Sequence, residues 1–147
     1  MNSLNFRKAN IDDIDLIFEW ANDKVVRNNS FDSNPIKFSQ HKIWFENHMK
    51  DIYIFLCDDK PIGQLRLEIN GEEAAISYSI AKEYRGCGYG KKIIEASEEI
   101  AKQYDNVVFL EALVKDDNEY SNKIFEKLEY TKNVKEGYIE YRKRIIL

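Results

Sequence analysis

The stretch Tyr84-Arg85-Gly86-Cys87-Gly88-Tyr89-Gly90-Lys91-Lys92 decides how the rest of the chain is read. It follows a strand-like run over residues 74–80. It precedes a helical pattern over 91–104, with Ile93, Ala96/Ser97, Ile100 and Tyr104 expected to face inward. A strand, a glycine turn and a helix in that order form a generic anion site. The first helical amides lack partners inside the helix, and the helix dipole favours negative charge beyond them. Glycines let the backbone adopt positive φ and approach phosphate oxygens closely. Gly86, Gly88 and Gly90 alternate, so they do not fit the G-x-G-x-x-G of a dinucleotide fold. The strand before the turn also reads as part of an antiparallel meander, whereas dinucleotide folds use a parallel βαβ unit. A nucleotide-triphosphate loop is excluded by the spacing to Gly90-Lys91 and by Lys92, which stands where a Mg-binding hydroxyl belongs. Read alone, the turn also admits a purely structural role.

Upstream of the turn, residues 4–8 read as a first strand. Asn10 reads as a helix cap, with Asp12 and Asp13 in the first turn, where negative charge suits the dipole. Ile11, Ile14, Ile17/Phe18 and Ala21 follow at helical spacing and are expected to be buried, the helix ending near Asn22-Asp23. A polar loop is expected over 28–35 and a second helix over 39–49, carrying Ile43, Trp44 and Phe45. Residues 52–57 form a β-branched and aromatic strand, closed by the turn Asp58-Asp59-Lys60-Pro61. Strands over 62–69 and 74–80 flank Asn70-Gly71, a strong hairpin signal because both residues tolerate positive φ.

Downstream, residues 107–114 are nearly continuously apolar, as the centre of a sheet requires. A helix over 118–128 and strands over 130–134 and 138–146 close the chain. The order βααβββαβαββ implies one domain over 1–147: an α/β (α+β) fold with about four helices on a mixed, mostly antiparallel sheet of six to seven strands.

The chain has 147 residues, 44% hydrophobic and 33% charged, with a net charge of −4. That balance is that of a globular protein and argues against a nucleic-acid partner, which calls for a basic stripe. The basic run Arg142-Lys143-Arg144 falls in a strand pattern and reads as a solvated edge. Cys57 and Cys87 have no ligand-like spacing to His41 or His48, so neither a metal site nor a disulfide framework is expected. Free thiols, no apolar leader in the first seven residues and no stretch long enough for a bilayer imply a cytoplasmic protein without a membrane partner.

The turn resembles the pyrophosphate loop of the GNAT superfamily of acetyl-CoA-dependent N-acetyltransferases, with Arg85, Gly88 and Gly90 at the three defining positions of Gln/Arg-x-x-Gly-x-Gly/Ala. A second block matches in order downstream: Val114, Asn118, Ser121, Ile124, Phe125 and Leu128-Glu129-Tyr130. The resemblance implies acetyl-CoA as co-substrate and direct attack of an amine on the thioester. It places the pyrophosphate on the amides of Arg85, Gly86, Cys87, Gly88, Tyr89, Gly90 and Lys91. The pantetheine arm would run along the main chain near Ile80, with Asn118 and Ser121 beside it. Helix capping by Asn118 is the plainer alternative, and both roles are compatible.

Two departures from the family pattern stand out. Phe125 replaces the usual tyrosine acid, leaving Tyr120, Tyr130, water or the acceptor's own ammonium to protonate the thiolate. Glu129 replaces a glycine, read as a surface change. Glu73, Glu68 and His41 are the candidates for the general base; the plain alternatives are that the two carboxylates are solvated strand groups and that His41 is structural. The pattern Trp20-x-Asn22-Asp23, Arg27-x-x-Ser30, His41-x-x-Trp44-Phe45 is similar to GNAT enzymes that acetylate nucleotide-linked amino sugars, of the pseudaminic acid type. That resemblance makes Trp20, Asn22, Arg27, Ser30, His41 and Trp44 candidate substrate ligands, with Arg27 suited to a diphosphate. The plain alternative is that both tryptophans are core and Arg27 a surface group. An N-terminal protein amine is the runner-up acceptor, a non-catalytic acyl-CoA sensor the third reading. The resemblance also implies a possible homodimer through the C-terminal strands, an arrangement common in that superfamily.

Overall fold

The computed structural model describes residues 4–145; Met1 to Ser3, read above for a leader, and Ile146, read as the end of the last strand, lie outside the described residues. Hydrogen bonding orders seven strands as β1-β2-β3-β4-β5-β7-β6. They are β1 Leu4–Lys8, β2 Ile52–Cys57, β3 Lys60–Asn70, β4 Glu73–Ile80, β5 Phe109–Lys115, β6 Thr131–Val134 and β7 Tyr138–Arg144. The α-helices are α1 Ile14–Ala21, α2 Lys24–Asn28, α3 Phe38–His48, α4 Tyr89–Ala101 and α5 Glu119–Lys127. The mixed, mostly antiparallel sheet of the sequence reading is present. The expected reason for excluding a dinucleotide fold is corrected in one respect: β4 pairs with β5 in parallel, so the turn does sit in a βαβ unit. A parallel neighbour needs a crossover, and α4 supplies it. The exclusion therefore stands on glycine spacing alone.

Two compact units share these elements: the chain up to Arg66 with Tyr78–Cys87, and Leu67–Ser77 with the chain from Gly88 on. In the first, Ile17, Phe45, Ile52 and Ile54 form the core, with Ile14, Trp20, Trp44, Met49 and Leu56 packed against it. Four successive residues of β2 are buried, because both of its faces are covered. Asp58 and Asp59 both take left-handed φ (51° and 67°), closing β2 onto β3 with Cys57 opposite Lys60. Ile11, expected inward, is 53% exposed and Ile43 65% exposed. Ile11 falls in a 3-10 turn, Ile11–Asp13, ahead of α1, so its direction departs from the α-helical stripe. Helix α2 was not expected. The β-branched pair Val25-Val26 hides it, and the Asp23 carboxylate caps it by accepting from both of their amides.

In the second unit the hairpin turns at Gly71 (φ 62°), with β3 continuing through Asn70. Helix α4 begins two residues before the expected Lys91 and ends at Ala101, so Tyr104 lies beyond it and is 36% exposed. Strand β5 buries Leu110, Ala112 and Val114 but exposes Leu113, so it is sealed on one face only. The run Arg142-Lys143-Arg144 is an edge only in part: Arg142 is paired with β5 on one side and β6 on the other, while Lys143 and Arg144 pair with β5 and run past the end of β6. Its charges are held locally. Arg142 bonds Glu73 at 2.9 Å and lies 3.9 Å from the Phe109 ring centroid, while Lys143 donates to Glu98 and to the Leu128 carbonyl, each at 2.9 Å.

Asp13 anchors the entry to α1. Its carboxylate takes both terminal nitrogens of Arg7 (2.8 and 2.9 Å) and the Asn10 amide, completing a capping box. The Arg7 hydrogen bonds hold its pKa below the usual carboxylate range against the opposing effect of burial. Asp13→Ala strands Arg7 and an amide, and a loss of about 1–3 kcal/mol is expected in urea unfolding at pH 7. A depressed folded pKa gives stability that is present above about pH 3.9 and lost as pH falls through the folded value. The difference between wild type and variant therefore shrinks below that pH.

Candidate functional site

Each glycine of the turn has a separate physical reason. Gly86 (φ 76°) and Gly88 (φ 82°) are left-handed, and a Cβ at either would meet nothing within 4 Å. Backbone sign, not crowding, selects glycine there. Gly88 is the N-cap of α4 and offers no side chain, so the cap residue supplies no acceptor to the first amides of the helix. A left-handed glycine before uncapped helical amides is an anion-binding concavity. Gly90 is helical and selected by crowding. A Cβ there would lie 2.9 Å from Ile124 Cδ1, 3.1 Å from Tyr120 Cε1 and 3.2 Å from the Tyr120 hydroxyl. The start of α4 is thus brought against the first turns of α5.

On α5, Asn118 is the N-cap, its Oδ1 accepting from the Ser121 amide at 3.3 Å. Ser121 is buried. Asn122, which the sequence reading missed, ties the same corner together. Its Nδ2 donates to the carbonyls of Lys115 and Asn118, and its Oδ1 accepts from the Tyr141 hydroxyl at 2.6 Å. Cys87 and Lys91 are exposed, and Tyr89 is buried with Lys92 Nζ 5.9 Å from its ring centroid.

On the first unit's side of the turn, Arg85 is a brace. Its Nε donates to the Ile80 carbonyl at 3.1 Å and its Nη2 to Asp23 Oδ1 at 2.7 Å. The next amide, Ala81, donates to the Ile62 carbonyl at 2.7 Å. Burial raises the Asp23 pKa, but the Arg85 hydrogen bond and the amides of Val26 and Val25 outweigh it and keep the carboxyl low. Among the described residues the parallel ladder joins Glu73, Ala74 and Ala75 to Phe109, Leu110 and Glu111, and β4 runs five residues further.

The polar substrate candidates turn inward. Asn22 clasps Ile36 with both ends of its amide, donating to the carbonyl at 2.9 Å and accepting from the amide at 2.8 Å. Arg27 donates to the carbonyls of Ala21, Asp32 and Asn34 and to Ser30 Oγ, and Ser30 Oγ donates to the Val26 carbonyl. Burial lowers the Arg27 pKa, opposed by Asp32. These side chains build the loop after α2. Trp20 and Trp44 pack on the core, Trp44 stacked on His48 at 4.7 Å with Arg66 over its ring at 5.1 Å.

The proton-transfer candidates separate as well. His41 is 1% exposed, ringed by Phe18, Trp44 and Phe45, and its Nε2 donates to the Ile14 carbonyl at 2.9 Å. Burial lowers its pKa despite that bond. Glu73 is ion-paired with Arg142 at the end of β4 opposite Ile80, and Glu68 is half-buried on β3. Phe125 is 1% exposed, stacked on Tyr141 and edge-on to Tyr130, each at 5.0 Å. The Tyr130 hydroxyl is buried, its pKa raised by burial and by Glu98. Tyr120, 47% exposed, is the candidate tyrosine beside Gly90. Among the described residues no group of three or more His, Cys, Asp or Glu could hold a metal, and no helix is long and apolar enough to cross a membrane.

Comparison with known proteins gives one family. The profile described as an acetyltransferase (GNAT) domain matches residues 3–131. No curated protein sequence matches the chain. Many solved structures share the fold. A domain from Methanocaldococcus jannaschii DSM 2661 is 17% identical, with TM-score 0.87 over 98% of this chain and 99% of that one. Spermidine N-acetyltransferase from Vibrio cholerae, in complex with CoA and spermine, is 17% identical, with TM-score 0.84 over 97% and 95%. The acetyl transferase from Salmonella typhimurium that modifies the N-terminal serine of ribosomal protein L7/L12 is 14% identical, with TM-score 0.80 over 98% and 96%.

Two outcomes follow from this geometry. Gly90→Ala forces Ile124 or Tyr120 aside and is expected to cost about 1–3 kcal/mol in chemical denaturation. In that background Ile124→Val, which deletes the clashing Cδ1, raises the melting temperature instead of lowering it. The second concerns His41. Its folded pKa lies below the unfolded value of about 6.5, so stability is complete above that pH and falls as pH drops through it. Melting curves from pH 7.5 to 5 should show that decline, and His41→Gln, which keeps a donor for Ile14, should flatten it.

Proposed function

This chain belongs to the acetyltransferase (GNAT) domain family and is an acetyl-CoA-dependent N-acetyltransferase; on that premise we propose that it acetylates the primary amine of a nucleotide-linked amino sugar. The observation that carries the donor side is the uncapped start of α4 behind left-handed Gly86 and Gly88. Amides from Arg85 to Lys91 in that turn suit a pyrophosphate, because the N-cap glycine supplies no capping side chain and the dipole of a 13-residue helix stands behind them. Residues 76–80 of β4 run past the ladder to β5 and suit a pantetheine arm, which pairs with main-chain groups as an added strand does. The Ile80 carbonyl is engaged by Arg85 and the Ala81 amide by the Ile62 carbonyl. Asn118 and Ser121, beside the start of α4, complete the donor side.

The reaction needs few groups. The neutral amine attacks the thioester carbon, the C–S bond breaks, and the nitrogen loses a proton while the sulfur gains one. Holding both reactants together supplies much of the acceleration, so the absence of a hydroxyl at Phe125 is compatible with turnover. Tyr120 lies over Gly90, at the phosphate end of the turn. That position favours contact with the cofactor over proton donation to a sulfur at the far end of its arm. The proton then passes to the thiolate from water or from the acceptor's ammonium.

For the acceptor, the supporting pattern is Trp20 to Phe45. Since Asn22, Arg27 and Ser30 are engaged within the loop, they act as its frame, and the exposed rings of Phe31 (59%) and Phe38 (42%) are the surfaces for stacking on sugar or base. An N-terminal protein amine is the second reading, favoured by the likeness to the ribosomal-protein enzyme. Pairing of two copies through the C-terminal strands would use β6, whose four residues are all exposed. Cys57 and Cys87, neither of them in a disulfide among the described residues, suit a reducing cytoplasm.

Release of the CoA thiol is measured against amino-sugar nucleotides, polyamines and N-terminal peptides. Turnover is expected with the first group; a preference for peptides or polyamines overturns the acceptor, and binding without turnover favours a sensor. Gly88→Asp puts a carboxylate and a Cβ at a left-handed site facing the phosphates. Acetyl-CoA binding by calorimetry should fall at least about 100-fold, as like-charge repulsion and lost amide contacts add. Unchanged binding would contradict the cofactor site.

A further inference from the structure

We propose that Asp23 is a positioning residue: its ion pair with Arg85 presets the glycine turn for acetyl-CoA and ties the order of residues 22–36 to cofactor binding. The inference rests on the proposed function of the turn. Asp23 Oδ1 accepts three hydrogen bonds, from Arg85 Nη2 at 2.7 Å and from the amides of Val25 and Val26 at 2.9 and 3.3 Å. Both side chains are largely shielded, 28% and 22% exposed, so the pair is screened less than a surface one. The guanidinium also donates to the Ile80 carbonyl. One planar group therefore joins the last carbonyl of β4, the cap of α2 and the first residue of the turn.

The other end of this latch is the loop after α2. Asn22, next to Asp23, clasps Ile36, and Arg27 holds the carbonyls of Asp32 and Asn34. Residues 22–36 are thus one hydrogen-bonded piece, and Asp23 is its charged tether to Arg85. A ligand that fixes the Arg85 backbone favours the latched state, and by reciprocity the latched state favours the ligand.

The sign of the effect separates this role from simple charge. Asp23 places a carboxylate near a site for phosphates, so if it acted only through its charge, removing that charge would tighten acetyl-CoA binding. If it acts as a latch, removal weakens binding. Asp23→Asn is the clean variant, because asparagine caps a helix as well as aspartate does and keeps α2, while the ionic bond to Arg85 is lost. Its KM and Kd for acetyl-CoA are expected to rise about tenfold, the worth of one charge-assisted hydrogen bond. With acetyl-CoA saturating, kcat stays within about twofold, since the chemistry is untouched. In hydrogen exchange, acetyl-CoA should slow the amides of residues 24–36 in wild type and not in the variant.

Tighter or unchanged binding by Asp23→Asn, or equal protection of 24–36 in both proteins, overturns the proposal. If wild type itself fails to bind acetyl-CoA, the proposed function falls, and the latch is judged on the free chain. Faster exchange at amides 85–87 in Asp23→Asn then upholds it, and unchanged exchange sinks it.

Discussion

The start of α4 is the constraint on which the candidate site depends. Two left-handed backbones at Gly86 and Gly88 turn the chain from β4 into the helix, and a missing side chain at Gly90 lets α5 come within van der Waals distance. The first requirement is conformational and the second is steric. Together they leave a helix terminus that has no capping side chain and stands beside Asn118 and Ser121. A capped terminus would have satisfied its own amides.

Several polar side chains that look like a ligand set are instead satisfied within the fold. Asn22, Arg27 and Ser30 have the composition of a ligand set, yet their donors and acceptors close a loop. A loop with its backbone carbonyls partly buried needs donors, and a guanidinium supplies several in one plane. Asn122 does the same between α5, β5 and β7 through the Tyr141 hydroxyl. His41 serves α1 from α3. Phe31, in the segment between α2 and α3, and Phe38, which opens α3, are the large exposed apolar side chains there.

Much of this architecture could be read in the chain. Alternation in β3, the aspartate pair at 58–59, the glycine at 71 and the apolar run of β2 each carry a local signal, because they depend on φ, side-chain period or burial on two faces. Helix α2 could not be read, because it is only five residues long, has the β-branched Val25-Val26 at its centre and is held by the Asp23 cap. Nor could the place of β7. A basic run looks the same at an edge or inside a sheet until its partners Glu73, Glu98 and Phe109 are brought to it.

The glycine turn and the downstream Asn118-x-x-Ser121 were determined by the sequence itself, since backbone sign and helix capping are local properties that a few residue types can satisfy. The direction of each charged side chain was decided only in three dimensions. Arg85 could have faced a phosphate as readily as Asp23, and Arg27 a diphosphate as readily as the carbonyls of its own loop. Which partner a guanidinium takes depends on what folding places within about 3 Å of it, and the carboxylate that meets Arg85 lies 62 positions away in the chain. Long-range pairing of that kind leaves no periodicity to read.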